Sequence, residues 1–236
     1  MPTTAFPYDF SGRTSVVTGG SGVLCGHLAR ALAQCGAPVA VLAHSHGERA
    51  RALVDAIRAD GGAADAFQAD VLDRARLHAV HGEIVARFGP VRFLVNGAGG
   101  ARPEATTSAT LPFADLPETA VRQVLDLNFL GTFFACQEFV GDMVAANSGA
   151  ILNIASMGAV RPLTRSVAYS AAKAAVVNLT QWLAVHLSQE YGPGVRVNAL
   201  VPGFFLTEQN RFLLQEADGQ TFTARGRRIL EHTPMG

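Results

Sequence analysis

The stretch RTSVVTGGSGVLCG, residues 13–26, runs from a short apolar segment into a turn with glycine at 19, 20 and 22 and again at 26. Arg13 to Thr18 has the length and β-branched content of a buried strand. From Gly22 to Cys35 the apolar spacing is helical, and Gly36 stops it. A glycine-rich turn between strand and helix lets main chain approach a phosphate closely. The helix N-terminus then adds N–H groups and the positive end of its dipole. Thr18, Gly19, Gly20, Ser21, Gly22, Val23 and Leu24 are placed for that task. Such turns also serve plain backbone geometry, so the position directly after the first strand carries the argument.

Outward from this turn, strand and helix patterns alternate. Pro38–Leu42, Ala64–Ala69, Arg92–Asn96, Ala150–Ala155 and Val195–Val201 read as strands. His46–Asp60, Asp73–Phe88, Pro117–Ala146 and Val167–Glu190 read as helices, with Asp73 placed as a cap and Gly89-Pro90 as a stop. Short apolar strands separated by long helices predict parallel pairing with helices on both faces. The expected fold is therefore α/β, a Rossmann-type doubly wound parallel sheet in a three-layer α/β/α arrangement. Its ligand crevice lies at the C-terminal ends of the strands. Residues 1–236 read as a single domain, the long loop Gly97–Asp115 as part of the crevice rim, and about 203–232 as a substrate lid.

Bulk composition narrows the function classes. The chain has 236 residues, 49% hydrophobic and 16% charged, which suits a packed domain. Lys plus Arg equals Asp plus Glu at 19 each, so no global field draws nucleic acid or an acidic membrane. No apolar run reaches membrane-spanning length, and Met1–Phe10 lacks the pattern of a secretory signal. Cys25, Cys35 and Cys136 form neither a disulfide framework nor a CxxC pair, which suits reduced thiols in a cytoplasmic protein. His44 and His46 lack further ligands at metal-binding spacing, so no metal is expected.

The end of the second strand reads the adenosine ribose in folds of this kind, and a carboxylate there repels a 2′-phosphate. Here it reads Leu42-Ala43-His44-Ser45-His46, with no acid. His44, Ser45 and Arg49 suit a 2′-phosphate, so the cofactor reading is NAD(P) with a lean to NADP(H). Tyr169 and Lys173 share one helical face at a spacing of four. A nearby ammonium is expected to lower the phenol's pKa from about 10, which prepares tyrosine to exchange a proton with an alcohol or ketone. Ser156, thirteen residues earlier at the end of the fifth strand, is placed to hold the reacting oxygen. The glycine turn, Ser156 and Tyr169 fall at one sheet edge.

These pieces together resemble the short-chain dehydrogenase/reductase family over essentially the whole chain. The matching segments are TGGSGVLCG, Asp70-Val71, Asn96-Gly97-Ala98-Gly99, Asn128 in DLNFLG, Ser156 in NIASM, Tyr169-Ser170-Ala171-Ala172-Lys173, and Pro202-Gly203. The resemblance implies a catalytic tetrad of Asn128, Ser156, Tyr169 and Lys173. Tyr169 would be acid/base, Ser156 the polariser, Lys173 the ribose binder that tunes Tyr169, and Asn128 the holder of a relay water. Asp70 and Val71 would contact adenine, and Asn96, Ala98 and Gly99 would line the ribose site. Pro202, Gly203, Phe205 and Thr207 join the implied cofactor set. The family turn carries glycine where this chain has Val23 and Cys25, so a slightly rearranged turn is expected, with Cys25 as a small packed residue. Family members continue into a further helix and strand, without which one sheet edge is expected to lie bare.

A narrower likeness, in NGAGGARPEATT, SMGAVRPLT, PGFFLTEQNRFLL and HTPMG, is to the D-mannonate oxidoreductase branch. It implies a sugar-acid substrate, D-mannonate or D-fructuronate. Arg102, Arg161, Arg165 and Arg211 are candidates to clamp its carboxylate, with Gln209 beside them. Competing readings are a gluconate 5-dehydrogenase-like enzyme, a 3-oxoacyl or steroid-type reductase, and a non-catalytic dinucleotide sensor. The resemblance also implies a homo-oligomer, tetramer or dimer, built on the two long helices. Phe129, Phe133, Phe134 and Phe139 fit either that interface or the core.

Overall fold

A computed structural model of the chain describes residues 7–44, 47–162, 164–207 and 211–233. The chain divides into two units, Met1–Val201 and Pro202–Gly236. The first unit holds a six-stranded sheet in the order β3-β2-β1-β4-β5-β6, and every pairing in it is parallel. The strands are β1 (Thr14–Thr18), β2 (Val39–Ala43), β3 (Ala64–Gln68), β4 (Val91–Asn96), β5 (Gly149–Ile154) and β6 (Val195–Leu200). Between them run α1 (Val23–Gln34), α2 (Glu48–Ala59), α3 (Arg74–Phe88), α4 (Glu118–Leu125), α5 (Gly131–Ala145) and α6 (Val167–Tyr191). Strand order reverses beside β1, between β2 and β4, which is the switch point where such sheets open a crevice.

The alternation of strand side chains divides the core into two layers. On one face Val16, Leu94 and Ile151 meet Leu77, Phe139, Met143 and Leu183 of α3, α5 and α6. On the other, Val17, Val39, Val41 and Val95 meet Ala29, Val54 and Ile57 of α1 and α2. Each large side chain buried this way contributes about 1.5–3 kcal/mol of apolar transfer. The three-layer α/β/α arrangement predicted from the sequence is the one observed, with element ends within two residues of their predicted positions. Asp73 caps α3 as expected, its carboxylate accepting from the Arg76 N–H at 2.9 Å.

One helix differs from its expected form. Pro117–Ala146 is not a uniform α-helix: α4 and α5 are joined through a π-helical turn at Asp126–Leu130. A π turn adds a residue within a helix and re-aims the side chains beyond it, and such turns cluster at functional sites. This one contains Asn128. The long loop after β4 carries short 3₁₀ turns at Pro103–Ala105 and Phe113–Asp115.

The second unit contains α7 (Arg211–Leu214) and α8 (Ala224–Glu231), the latter capped by the Thr223 hydroxyl accepting from Gly226 N–H. No described helix is long and apolar enough to cross a membrane.

Candidate active site

The crest of the sheet is built from main chain packed against main chain. Gly19 has φ +63°, and a Cβ there would stand 2.7 Å from Ala98 N and Gly97 O. Only glycine meets both demands. The Thr18 hydroxyl accepts from the N–H groups of Gly97 and Ala98 at 3.1 and 3.2 Å, which fixes the loop after β4 against the turn after β1. Gly22 is the N-cap of α1 and supplies no side-chain cap, and the first turn of α1 has no acidic residue. That helix start keeps donors and a positive dipole end for an anion, and the residues present therefore fit a dinucleotide pyrophosphate. Cys25 occupies the space beside Gly97, where a Cβ on residue 97 would overlap its sulfur. It is buried, and burial pushes its thiol up to about 11, so it is a packed residue as expected.

The four tetrad residues surround this crest. Asn128, fully buried in the π turn, donates through Nδ2 to Gly100 O at 2.9 Å and Val124 O at 2.8 Å. Its Oδ1 accepts from Gly100 N–H at 3.0 Å. A Cβ on Gly99 would overlap this amide and stand 3.3 Å from Lys173 Nζ, so lysine, asparagine and loop converge there. Both amide hydrogens of Asn128 and one bond to its oxygen are thus spent on Gly100 of the loop and Val124 of α4. Ser156 Oγ accepts from Gly158 N–H at 3.2 Å, and the serine hydroxyl is close enough to Tyr169 to favour the phenolate. With its lone pair turned to that N–H, the serine proton is left to donate. Lys173 Nζ donates to Ile154 O at 2.7 Å, and it is the sole lysine of the chain among 19 Lys and Arg.

The electrostatics depart from the expectation that Lys173 lowers the Tyr169 pKa. Burial holds Tyr169 above its ordinary value, and Ser156 only partly offsets this. The ammonium lies 5.8 Å from the tyrosine ring centroid and spends its hydrogen bond on a carbonyl. Burial also pushes Lys173 down to about 8, with Cys25 acting weakly the other way. Desolvation of the phenol therefore sets the direction of its shift, with Ser156 rather than Lys173 as the opposing influence.

The remaining candidates divide. Asp70 is half-exposed beside exposed His44, with Nε2 to Oδ2 at 3.6 Å, so the two lie together after β2 and β3. Val71 is buried, and its side chain presses on Gly131 of α5; any adenine contact from it is through main chain. The Asn96 side chain is likewise turned away, into the sheet interior against Asn153. Arg102, Arg161 and Arg165 are exposed on the loops after β4 and β5. Arg165 has φ +80°, unusual for a non-glycine residue, and its carbonyl accepts from Thr107 N–H at 3.0 Å, tying those two loops together. Pro202, Gly203, Phe205, Thr207 and Arg211 belong to the second unit. Ser45 and Gln209 lie outside the described residues.

Three features escaped the sequence reading. Asn153 and Thr180, buried beneath the crest, are bonded to each other at 2.8 Å. An asparagine at an inward position of an apolar strand was the available signal. The Thr107–Arg165 clamp left none, since backbone conformation at an ordinary residue has no sequence mark. The third is a histidine–carboxylate cluster remote from the crest, in which His81 touches Glu138 and Asp142 across fifty-seven and sixty-one residues of sequence.

Known proteins share both the sequence pattern and the architecture. The short chain dehydrogenase family profile matches residues 13–218. The uncharacterized oxidoreductase UxuB of Bacillus subtilis strain 168 is 46% identical over 235 residues, which cover 96% of this chain and 83% of that protein. A crystal structure from Haemophilus influenza, of a protein proposed to be a D-mannonate oxidoreductase and holding NAD, superposes with a TM-score of 0.89. It is 38% identical and matches 97% of this chain and 84% of its own. A metagenomic short-chain oxidoreductase in complex with NADP superposes with a TM-score of 0.73 at 29% identity, covering 83% of this chain and 84% of its own. With the glycine crest, Ser156 beside Tyr169 and the buried Lys173 in place, the chain belongs to the short chain dehydrogenase family, as an NAD(P)-dependent oxidoreductase of alcohol and ketone groups.

Proposed function

We propose that this oxidoreductase interconverts a sugar-acid alcohol and its ketone, D-mannonate and D-fructuronate. The observation that carries the reading is the 38% identity and 0.89 TM-score to the Haemophilus protein proposed to be a D-mannonate oxidoreductase. The exposed rim arginines Arg102, Arg161 and Arg165 support it, since guanidinium groups suit a carboxylate. A 3-oxoacyl or steroid substrate calls instead for an apolar rim. Gluconate-type acids remain the nearest competing substrates, and the Ser156–Tyr169 pair speaks against a non-catalytic sensor.

The bound nicotinamide supplies or accepts the hydride. In the direction of reduction, the Tyr169 phenol gives its proton to the ketone oxygen as that oxygen gains negative charge. Ser156, already accepting from Gly158 N–H, donates its hydroxyl hydrogen to the same oxygen. Lys173, facing Gly99, would hold the cofactor's ribose, and the N-terminus of α1 with Gly19–Leu24 would hold its pyrophosphate. Asn128 keeps the Gly97–Gly100 loop in place. The choice of cofactor has support on each side. The end of β2 lacks a carboxylate to repel a 2′-phosphate, which favours NADP(H), while the Haemophilus relative holds NAD.

We further propose a homo-oligomer in a cytoplasmic setting. Phe139 is core, whereas Phe129 and Phe133 line an open groove of about 340 Å³ with Leu179 and the exposed Trp182. Light scattering measures the mass directly, and a monomer overturns the oligomer. For the reaction, protein is mixed with D-fructuronate and either NADH or NADPH, and absorbance loss is monitored. Turnover that disappears in Tyr169→Phe supports the substrate and shows which cofactor is used. Clear cofactor binding without turnover rejects the substrate and leaves the family standing.

A further inference from the structure

Three polar residues stand side by side across the sheet just below its crest. Thr18 of β1 is in register with Asn96 of β4, and Asn96 with Asn153 of β5. Their relative exposures are 1%, 2% and 0%. Two residues earlier on the same face the row is Val16, Leu94 and Ile151, all apolar. A buried polar row costs stability unless its groups find hydrogen-bond partners; Thr18 finds them in the main chain of Gly97 and Ala98, and the two asparagines in one another. Asn96 Nδ2 donates to Asn153 Oδ1 at 2.9 Å and also meets Cys136 Sγ at 3.2 Å. Asn153 Nδ2 donates to Thr180 Oγ1 at 2.8 Å, and that hydroxyl donates to Val176 O at 2.7 Å. Asn96 Oδ1 stays buried without a partner, a cost an apolar row would not carry.

What this arrangement fixes is the spacing of the crest. The residue after Asn96 opens the Gly97–Gly100 loop. The residue after Asn153 is Ile154, whose carbonyl receives Lys173 Nζ. Thr180 lies seven residues, two turns, beyond Lys173 on α6. Asn153 therefore joins the loop-bearing strand on one side to the lysine-bearing helix on the other. We propose that Asn153, through Asn96 and Thr180, is a positioning residue that sets the distance between the cofactor loop and the Lys173 face of α6. It touches neither substrate nor cofactor, being fully buried. The inference rests on the family's activity and not on the choice of substrate.

Because Lys173 is the sole lysine, full-length protein grown with ε-labelled lysine gives one side-chain NMR signal, whose titration midpoint reports its burial. The variants are Asn153→Leu, of similar size without hydrogen bonds, Thr180→Val, nearly isosteric, and Thr180→Ser, which keeps the hydroxyl. NADH and NADPH affinity is read by nicotinamide fluorescence, and folding by urea midpoint. Asn153→Leu and Thr180→Val are expected to weaken cofactor binding about tenfold, or 1.4 kcal/mol. Both should move the Lys173 midpoint up from about 8 toward the ordinary lysine value as water reaches the amine. Thr180→Ser is expected to restore both readings. Folded variants with unchanged affinity and midpoint, whatever their urea midpoint, overturn the proposal. If Asn153→Leu does not fold, Thr180→Val against Thr180→Ser decides alone.

Discussion

Lys173 is a buried basic group and His81 a half-buried one, both packed by the same sheet, and the protein shifts their pKa values in opposite directions. Lys173 lies where the C-terminal strand ends meet α6. It donates to a neutral carbonyl, no carboxylate contributes to its shift, and burial lowers it to about 8. His81 lies toward the other end, where Asp142 also accepts from Val91 N–H at the start of β4. Burial pushes His81 down as well, but Glu138 on Nδ1 at 2.8 Å and Asp142 on Nε2 at 3.0 Å outweigh it, so its pKa is raised. His78 from the same helix shares Glu138 at 3.0 Å, and Phe139 meets the His81 ring edge-on. Desolvation disfavours the charged form of both groups, and whether anionic partners are supplied decides the direction of each shift. The His81 cluster staples α3 to α5 and gains stability, whereas the lysine site gives stability up for chemistry.

The largest expected effect tests the catalytic end itself. Tyr169→Phe should reduce turnover by about 10²–10⁴-fold while leaving nicotinamide fluorescence titrations nearly unchanged; a matching loss of cofactor affinity would make Tyr169 a binding residue instead. Next comes the stability given up at Lys173. Lys173→Met should raise the urea-unfolding free energy by roughly 2 kcal/mol even as turnover collapses. A destabilised variant would show that the ammonium is better compensated than its surroundings suggest.

Smaller effects arise from linkage. The folded state binds the Lys173 proton less tightly than the unfolded chain, so its penalty is complete below about 8 and fades as pH rises toward 10.5. His81 has the opposite sign. Its contribution is complete below the unfolded value of about 6.5 and is lost as pH climbs through the raised folded value. Melting temperature against pH should therefore fall above about 6.5 and recover above about 8. His81→Gln should remove the fall, at a cost of about 1–2 kcal/mol at pH 6; a variant curve parallel to wild type would dissolve the contrast between the two ends. The mildest expectation concerns rate. With Tyr169 held above its ordinary value, ketone reduction should stay level from pH 6 to 8, while alcohol oxidation should climb with pH. A reduction rate that falls across that range would place the proton donor elsewhere.

Much of this molecule was written in local pattern. RTSVVTGGSG, the alternation of short apolar strands with long helices, and Asp73 at its cap each depend on neighbours within a few residues, so they can be read without coordinates. The spacing that puts Tyr169 and Lys173 one helical turn apart and the position of Ser156 at a strand end are also local, whereas the role of Asn128 came only from the family resemblance. Tertiary structure decided what those groups do to one another. It turned Asn96 and Val71 inward, occupied the Asn128 amide with Gly100, and made burial rather than Lys173 the dominant influence on Tyr169. It also brought Asn96, Asn153 and Thr180 into one buried chain, and His81 against Glu138 and Asp142. The physical reason is range: propensity, capping and periodicity act along the chain, whereas desolvation and hydrogen-bond partnership depend on segments that meet only after the sheet has closed.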